Sequence, residues 1–396
     1  MSITTITRSA SRRAGVALVI AVASLTSAGA AIASSDTTPP GGSADTTSDS
    51  AASATADTTT GDTVTGDTTT GDTTSGEPVD LDTNGDGDVV IGVATPGPRD
   101  DGGYYEAMVN GITQLSEENG FEAPIIVDNI PAAEAETELR SLARQDVDVI
   151  AVGAGELSDP LVALSEEFAD IFWYCNCGAG LGDAPGVAQA RDDSSQISYT
   201  AGYATGLLLQ DTDSTSAAFL GCCDIDFERE AFLAFEAGLV AVDETFEAVY
   251  IPTGDFNDVA GATEAYDQAV ESGVGAVYPF LGGSQQAVAG LANEDGIITM
   301  APGPADACER EEVDYQIAVV FDAGIYVTES MRAIIAGELS EGQAKFFLVG
   351  DFDQVGAEFC DATAEQEAAL QDVRDEIAAG DLDELFGEIK AEAYGS

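Results

Sequence analysis

The chain of 396 residues contains no histidine. That excludes imidazole general bases, Ser-His-Asp and Cys-His nucleophile systems, and His-containing zinc sites. Most common hydrolase mechanisms go with them, and carboxylate-pair chemistry is what remains. Positive charge is nearly as scarce. Against 72 Asp and Glu stand 13 Lys and Arg, for a net charge of −59. Such a surface repels nucleic-acid phosphates and anionic lipid, which argues against any DNA or RNA role. Self-repulsion on this scale calls for screening by salt, and points to a saline or alkaline habitat. Apolar residues are not in short supply. At 44% of the chain they are enough to build a core, so high charge does not here mean disorder.

The first residues read as an export signal. Arg8, Arg12 and Arg13 precede the apolar run 14-AGVALVIAVASLTSAGAAIA-33, and Ala31-Ile32-Ala33 makes an A-x-A cleavage site. A retained membrane helix is the alternative reading of the run. No cysteine lies near the cleavage site to carry a lipid. Residues 34–88 then collapse to Thr, Ser, Gly, Asp and Ala, with the repeat 61-GDTVT, 66-GDTTT, 71-GDTTS. This stretch has almost nothing to bury, so it is expected to be an extended tether. It closes on 82-DTNGDGD-88, the first half of a calcium-loop pattern, but Val93 holds the twelfth position where such loops place Glu. A polar turn at the domain edge is the competing reading.

From Val89 short apolar runs alternate with helical stretches. Strands are expected at 89-VVIGVAT, 124-PIIVDNI, 147-VDVIAVGAG, 170-DIFWYCNC and 186-GVAQA, then again at 217-AAFLGCC, 247-EAVYIPT, 275-GAVYPFLGG, 296-GIITMAP, 315-YQIAVVF and 345-KFFLVG. The intervening helices are expected from about 101 and over 132–144, 159–169, 199–210, 226–242, 259–272, 284–293 and 323–336. This spacing implies parallel sheets covered by helices on both faces. Two such blocks, with strands returning late in the chain, imply two lobes around a cleft. We assign 89–212 plus about 322–342 to an N-lobe, and 213–321 plus about 343–396 to a C-lobe.

Ligands of open parallel sheets bind beyond the carboxyl ends of the strands. The stretch 98-PRDDGGYYEAMVNGITQL-115 occupies that position after the first strand. Its glycines allow close backbone approach, and Asp100 and Asp101 can cap the next helix or accept from a ligand hydroxyl or amino group. Tyr104, Met108, Ile112 and Leu115 share one helical face, so Tyr104 is either core or a stacking platform at the helix mouth.

This stretch resembles the DDxSFNxxxxxGL segment of the basic membrane protein family of ABC-transporter solute-binding proteins, which includes purine-nucleoside receptors. Further resemblances follow in order: 198-SYTAGYATGLLL-209, 219-FLGCCDIDFEREAFLAFEAG-238, 254-GDFND-258 and 282-GGSQQ-286. The resemblance covers about 89–360. It implies a two-lobed type I periplasmic-binding fold that closes on a small solute and presents it to a membrane permease and its ATPase. It implies no enzymatic activity, cofactor or metal, and a monomer. The ligand-binding positions it implies are Asp100, Asp101, Tyr104, Gly155, Phe256 and Gly283. Two family positions differ. An Asp falls near Gly303 here, with Asp306 three residues away, and a Lys falls near Phe321. The resemblance implies a nucleoside or a related compound as the solute; both differing positions contribute to sugar binding in the nucleoside receptors, so these two differences count against an unchanged nucleoside site. Location in the cell envelope follows, in the periplasm or at the outer face of the cytoplasmic membrane; an uncleaved signal acting as anchor, with 34–88 as spacer, is one way to hold it there.

The six cysteines, Cys175, Cys177, Cys222, Cys223, Cys308 and Cys360, form an even set in an exported chain and favour disulfides. Adjacent cysteines rarely pair, and a bridge between the lobes would lock closure, so bridges within a lobe are expected, Cys308–Cys360 first, with the others as buried thiols or further bridges. A soft-metal site at the cleft is the alternative. Three other readings stay open. A carboxylate-pair hydrolase would use Asp100 or Asp101 with Asp224 or Asp226. A calcium-dependent surface module would use 82–88. Arg99, Arg191 and Arg229 could hold an anionic solute, although the acidic loops favour a neutral or cationic one.

Overall fold

The computed structural model describes residues 79–395 except 183 and 224. The export signal and the repeat lie outside the described residues, as does Asp224. The first block consists of β1 (Ile91–Ala94), α1 (Tyr104–Asn119), β2 (Ile125–Val127), α2 (Ala135–Leu142), β3 (Val149–Val152), α3 (Leu161–Glu167), β4 (Phe172–Asn176), β5 (Ala188–Asp192) and α4 (Ser194–Leu209). The second consists of β6 (Ser216–Gly221), α5 (Asp226–Val242), β7 (Glu247–Pro252), α6 (Val259–Ser272), β8 (Ala276–Pro279), α7 (Gln285–Asp295), β9 (Ile298–Gly303), β10 (Ile317–Val320) and α8 (Ala323–Ile335). The chain ends with β11 (Ala344–Phe347), β12 (Gly356–Phe359), α9 (Ala364–Ala378) and α10 (Asp383–Tyr394).

Two six-stranded sheets result, ordered β11-β5-β4-β3-β1-β2 and β12-β10-β9-β8-β6-β7. All strands are parallel except β12, which runs antiparallel to β10. The central strands β1, β3, β8 and β10 are buried at every residue, as parallel strands covered on both faces must be. Edge strand β7 is more open: Glu247, Val249 and Pro252 are exposed, Ala248 and Tyr250 half-buried, and Ile251 is buried. Separate clusters fill the outer faces: Leu142, Ile150 and Trp173 in the first lobe, Leu220, Ile251 and Tyr266 in the second. Among the described residues no helix is long and apolar enough to cross a membrane.

Three boundaries differ from the sequence reading. Helix α4 packs on α5, α9 and β12, so it belongs with the second lobe, and the chain crosses over just after β5 rather than at 212. Strand β11 pairs with β5 and belongs to the first sheet, not the second lobe. The folded unit also begins before Val89. Leu81 is buried, Val79 N–H donates to Ile335 O at 3.1 Å, and buried Asp148 accepts from the N–H groups of Thr83 and Val90 at 3.0 and 2.8 Å. In the 82–88 loop the Asp82 carboxylate accepts N–H groups of Gly85, Asp86 and Gly87, so it works as a turn anchor.

Helices α9 and α10 were not anticipated. The first carries a readable signal, since Thr363 and Gln366 form a reciprocal capping box. All six cysteines are paired: Cys308 with Cys360, Cys175 with Cys177, and the adjacent Cys222 with Cys223. Cys308–Cys360 and Cys175–Cys177 are bridges within a lobe, as expected, and Cys222–Cys223 corrects the expectation against an adjacent pair. The N–H groups of Cys222 and Cys223 both donate to the buried Glu228 carboxylate at 2.8 Å, which folds that backbone into a tight turn and brings the side chains together. Joined sulfurs offer no thiolate, so the soft-metal reading loses its ligands.

Candidate functional site

Both sheets share one strand order, and the order reverses between β1 and β3 in the first and between β6 and β8 in the second. Loops leaving those strands splay apart and open a crevice at each switch point. The two crevices face each other and enclose a cavity of about 540 Å³. Its walls come from the carboxyl ends of nine strands: Asp101 and Tyr104 follow β1, Gly155 and Glu156 follow β3, Asn176 ends β4 and Asp192 ends β5. From the second lobe Phe227 follows β6, Phe256 follows β7, Phe280 to Gly282 follow β8, Pro302 lies in β9 and Phe321 follows β10.

Aromatic rings run through this space in sequence. Tyr104 lies 6.2 Å from Phe321, Phe321 5.9 Å from Phe280, and Phe280 6.5 Å from Phe227 (centroid to centroid). Phe227 and Phe256 face each other at 6.4 Å, only 10° from parallel. Large apolar faces that stay partly uncovered in a cleft are what a flat or apolar solute requires.

Polar groups are placed among the rings. Asp101 is buried and accepts from the N–H groups of Gly103, Tyr105 and Glu106, at 2.9, 3.4 and 3.0 Å, so it anchors the start of α1. Tyr104 is held by its hydroxyl, which donates to Asn176 O at 3.4 Å. Tyr105 donates to Glu156 at 3.3 Å. Burial raises the carboxyls of Asp101 and Glu156 above the ordinary range. It pushes Asp192 up to about 6, with the negative charges of Asp193 and Glu230 adding to the effect. Helix α10 closes one wall. Its Lys390 ion-pairs with Asp193 at 2.5 Å, and Tyr394 donates to buried Glu230 at 2.9 Å. Glu230 also accepts from Ser195 N–H and hydroxyl, at 3.1 and 2.7 Å, which ties α5, α4 and α10 together.

The lobes touch across the cleft mouth. Arg310, paired with Asp306 at 2.8 Å, donates to Gly102 O from the other lobe. A Cβ at Gly103 would lie 2.5 Å from Gln285 Nε2, so a larger residue there would require the Gln285 side chain to move.

Of the positions expected from the sequence, Asp101, Tyr104, Gly155 and Phe256 line the cavity. Asp100 is exposed and stands outside it. Gly283 is also outside, turned to Asn257 by a 2.8 Å hydrogen bond, and its neighbour Gly282 lines the wall instead. None of the three arginines considered for an anion lines the cavity. Arg99 pairs with Asp128 at 2.8 Å, Arg191 is held by Gln189 and Gly182, and Arg229 pairs with Asp226 at 3.8 Å. With Asp100 outside and the Asp101 oxygens engaged by backbone, the carboxylate-pair mechanism has no pair there.

A family model described as "ABC transporter substrate-binding protein PnrA-like" (Bmp) matches residues 88–304, more than half of the chain. The chain belongs to the Bmp family. This Bmp protein therefore acts as a non-catalytic solute receptor of an ABC importer, working at the cell envelope with a membrane permease and its ATPase. Solved structures agree on the fold. A solute-binding protein of an ABC transporter system from Aeropyrum pernix K1 superposes with a TM-score of 0.66 at 13% identity, over 77% of this chain and 99% of that one. One from Conexibacter woesei DSM 14684 gives 0.59 at 17% identity, over 74% and 97%. A transcriptional activator of the comK gene from Bacillus halodurans gives 0.59 at 14% identity, over 72% and 96%. Receptors and a transcriptional activator thus share this architecture.

Sequence reading missed Phe227, Phe280, Asp192, Asn176, Lys390 and Tyr394. The first four stand at strand ends or helix starts already expected to face the cleft. Lys390 and Tyr394 had no local signal, since a helix distant in sequence brings them there.

Proposed function

We propose that the solute carries a flat heterocyclic ring and polar substituents, as a nucleoside or related compound does. The row Tyr104, Phe321, Phe280, Phe227 and Phe256 carries this reading, because it offers ring faces on both lobes of one cleft. Phe321 stands where the family's nucleoside receptors place a Lys, and Gly303 where they place an Asp. The sugar end is therefore met differently here, and Asn176 and Asp192 are the polar groups at hand. Closure would trap the ring between lobes and seal the mouth through Arg310 and Gly102. Export by residues 1–33 and retention through the 34–78 stretch complete the reading.

The test is thermal melting of the purified protein in high salt against nucleosides, free bases, sugars and amino acids. A solute that binds only the folded form raises the melting temperature by mass action. A shift with nucleosides or bases supports the reading. A shift confined to sugars or amino acids overturns the heterocycle and leaves the receptor role intact.

A further inference from the structure

Six acids line the cavity against one base, Lys390. In a chain with 72 acids that ratio by itself selects nothing. What selects is how each acid is satisfied. The Asp101 oxygens are taken by N–H groups at the start of α1. Asp193 caps α4 with one oxygen and pairs with Lys390 through the other. Glu230 holds Ser195 and Tyr394. Glu156 receives the Tyr105 hydroxyl, and Asp226 lies near Arg229, 60% exposed. Asp192 and Glu156 are thus alike in having hydroxyl neighbours and no cation. Asp192, which ends β5 at the cavity wall, has the hydroxyls of Tyr326 on α8 and Tyr104 on α1 near it and is set apart by the two further acids in its surroundings, Asp193 and Glu230. None of these is a cation, and the lone lysine is already engaged.

The same cavity is lined by the rings of Tyr104 and Phe321, whose centroids lie 6.2 Å apart. A carboxylate without a counter-ion next to aromatic faces is complementary to an ammonium group. The rings attract it through their quadrupoles, and the carboxylate supplies the opposite charge in a place from which water is largely removed. A neutral hydroxyl donor would hydrogen-bond to Asp192 but leave its charge uncompensated.

We propose that the solute of this cleft is an organic cation, a small ring compound whose ammonium group docks against Asp192 beside Tyr104 and Phe321. The proposal rests on the receptor reading above and narrows its solute class.

Matched pairs test it, each a neutral solute and its ammonium counterpart: adenosine with 5′-amino-5′-deoxyadenosine, tryptophol with tryptamine, and 2-phenylethanol with 2-phenylethylamine. Calorimetric titration of the purified protein near neutral pH reads the affinities. The expected result is that the cationic member of at least one pair binds at least about tenfold more tightly than its neutral partner. In Asp192→Asn that preference should disappear while circular dichroism stays native. Equal or tighter binding of the neutral members overturns the proposal and leaves the receptor reading standing. So does silence from all six combined with binding of a neutral solute from the wider melting panel. No binding by any solute in either set removes both. Should Asp192→Asn fail to fold, the wild-type comparison decides alone.

Discussion

Gly202 on α4 and Gly238 on α5 lie where the two helices press backbone to backbone. A Cβ on Gly202 would sit 1.9 Å from Phe235 O, and one on Gly238 2.1 Å from Tyr199 O. Both glycines belong to segments that carry the family resemblance, the AGY of 201–203 and the EAG of 236–238. Those segments are thus packing devices that fix α4 on the second lobe, and ligand contact is not their role. Gly202→Ala should destabilise the protein by about 1–3 kcal/mol through overpacking. A lowered denaturant midpoint would register it. An unchanged midpoint would mean that the helices separate at no cost.

Phe227 and Phe219 test the difference between a ring for the ligand and a ring for the core. Phe227 is 39% exposed in the cleft, and Phe219 is 0% exposed behind it. Phe219→Ala should cost about 3–5 kcal/mol of stability by leaving a cavity. Phe227→Ala should leave melting of the empty protein nearly unchanged and weaken solute binding by about 0.5–1.5 kcal/mol. Melting and titration of both variants separate the roles, and equal stability losses would contradict them.

Asp192 makes stability depend on pH in a particular direction. Its folded value of about 6 lies above the value of about 3.9 for an unfolded chain. The native state therefore holds a proton that the unfolded state releases. The stability linked to that proton is complete below about pH 4 and lost as pH rises through about 6, a change of about 2–3 kcal/mol. Asp192→Asn removes this term. Its melting temperature should match wild type at the acidic end and exceed it increasingly towards neutrality. Parallel melting curves across that range would show that Asp192 titrates as an ordinary surface acid.

The three disulfides should contribute unequally. Cys308 and Cys360 are 52 residues apart, whereas the other bridges span two residues or one. Closing the long loop restricts the unfolded chain by about 4 kcal/mol, and the short bridges restrict it far less. Replacing Cys308 and Cys360 by Ser should lower the melting temperature clearly. Replacing Cys222 and Cys223 by Ser should lower it much less, because Glu228 still holds that turn.

The sequence alone determined the kind of structure. Hydrophobic period and turn residues are local properties, so β1 to β11 and α1 to α8 could be located from them within a few residues, and the absence of histidine and scarcity of base ruled out whole classes of chemistry. Position relative to strand ends also marked Tyr104 and Asp101 as cleft residues, and the family resemblance added Gly155 and Phe256; all four line the cavity. Tertiary structure decided what depends on contacts between distant segments. That α4 sits with the second lobe follows from the Gly202–Gly238 approach across 36 residues of chain. That β11 joins the first sheet follows from its pairing with β5. Lys390 and Tyr394 reach the cavity only because Asp193 and Glu230 capture them from α10. Asp100 and Asp101 are identical neighbours in sequence, yet one is exposed and the other buried. A one-residue step along a turn reverses the direction of a side chain, and only the surrounding packing determines which of the two lines the cavity.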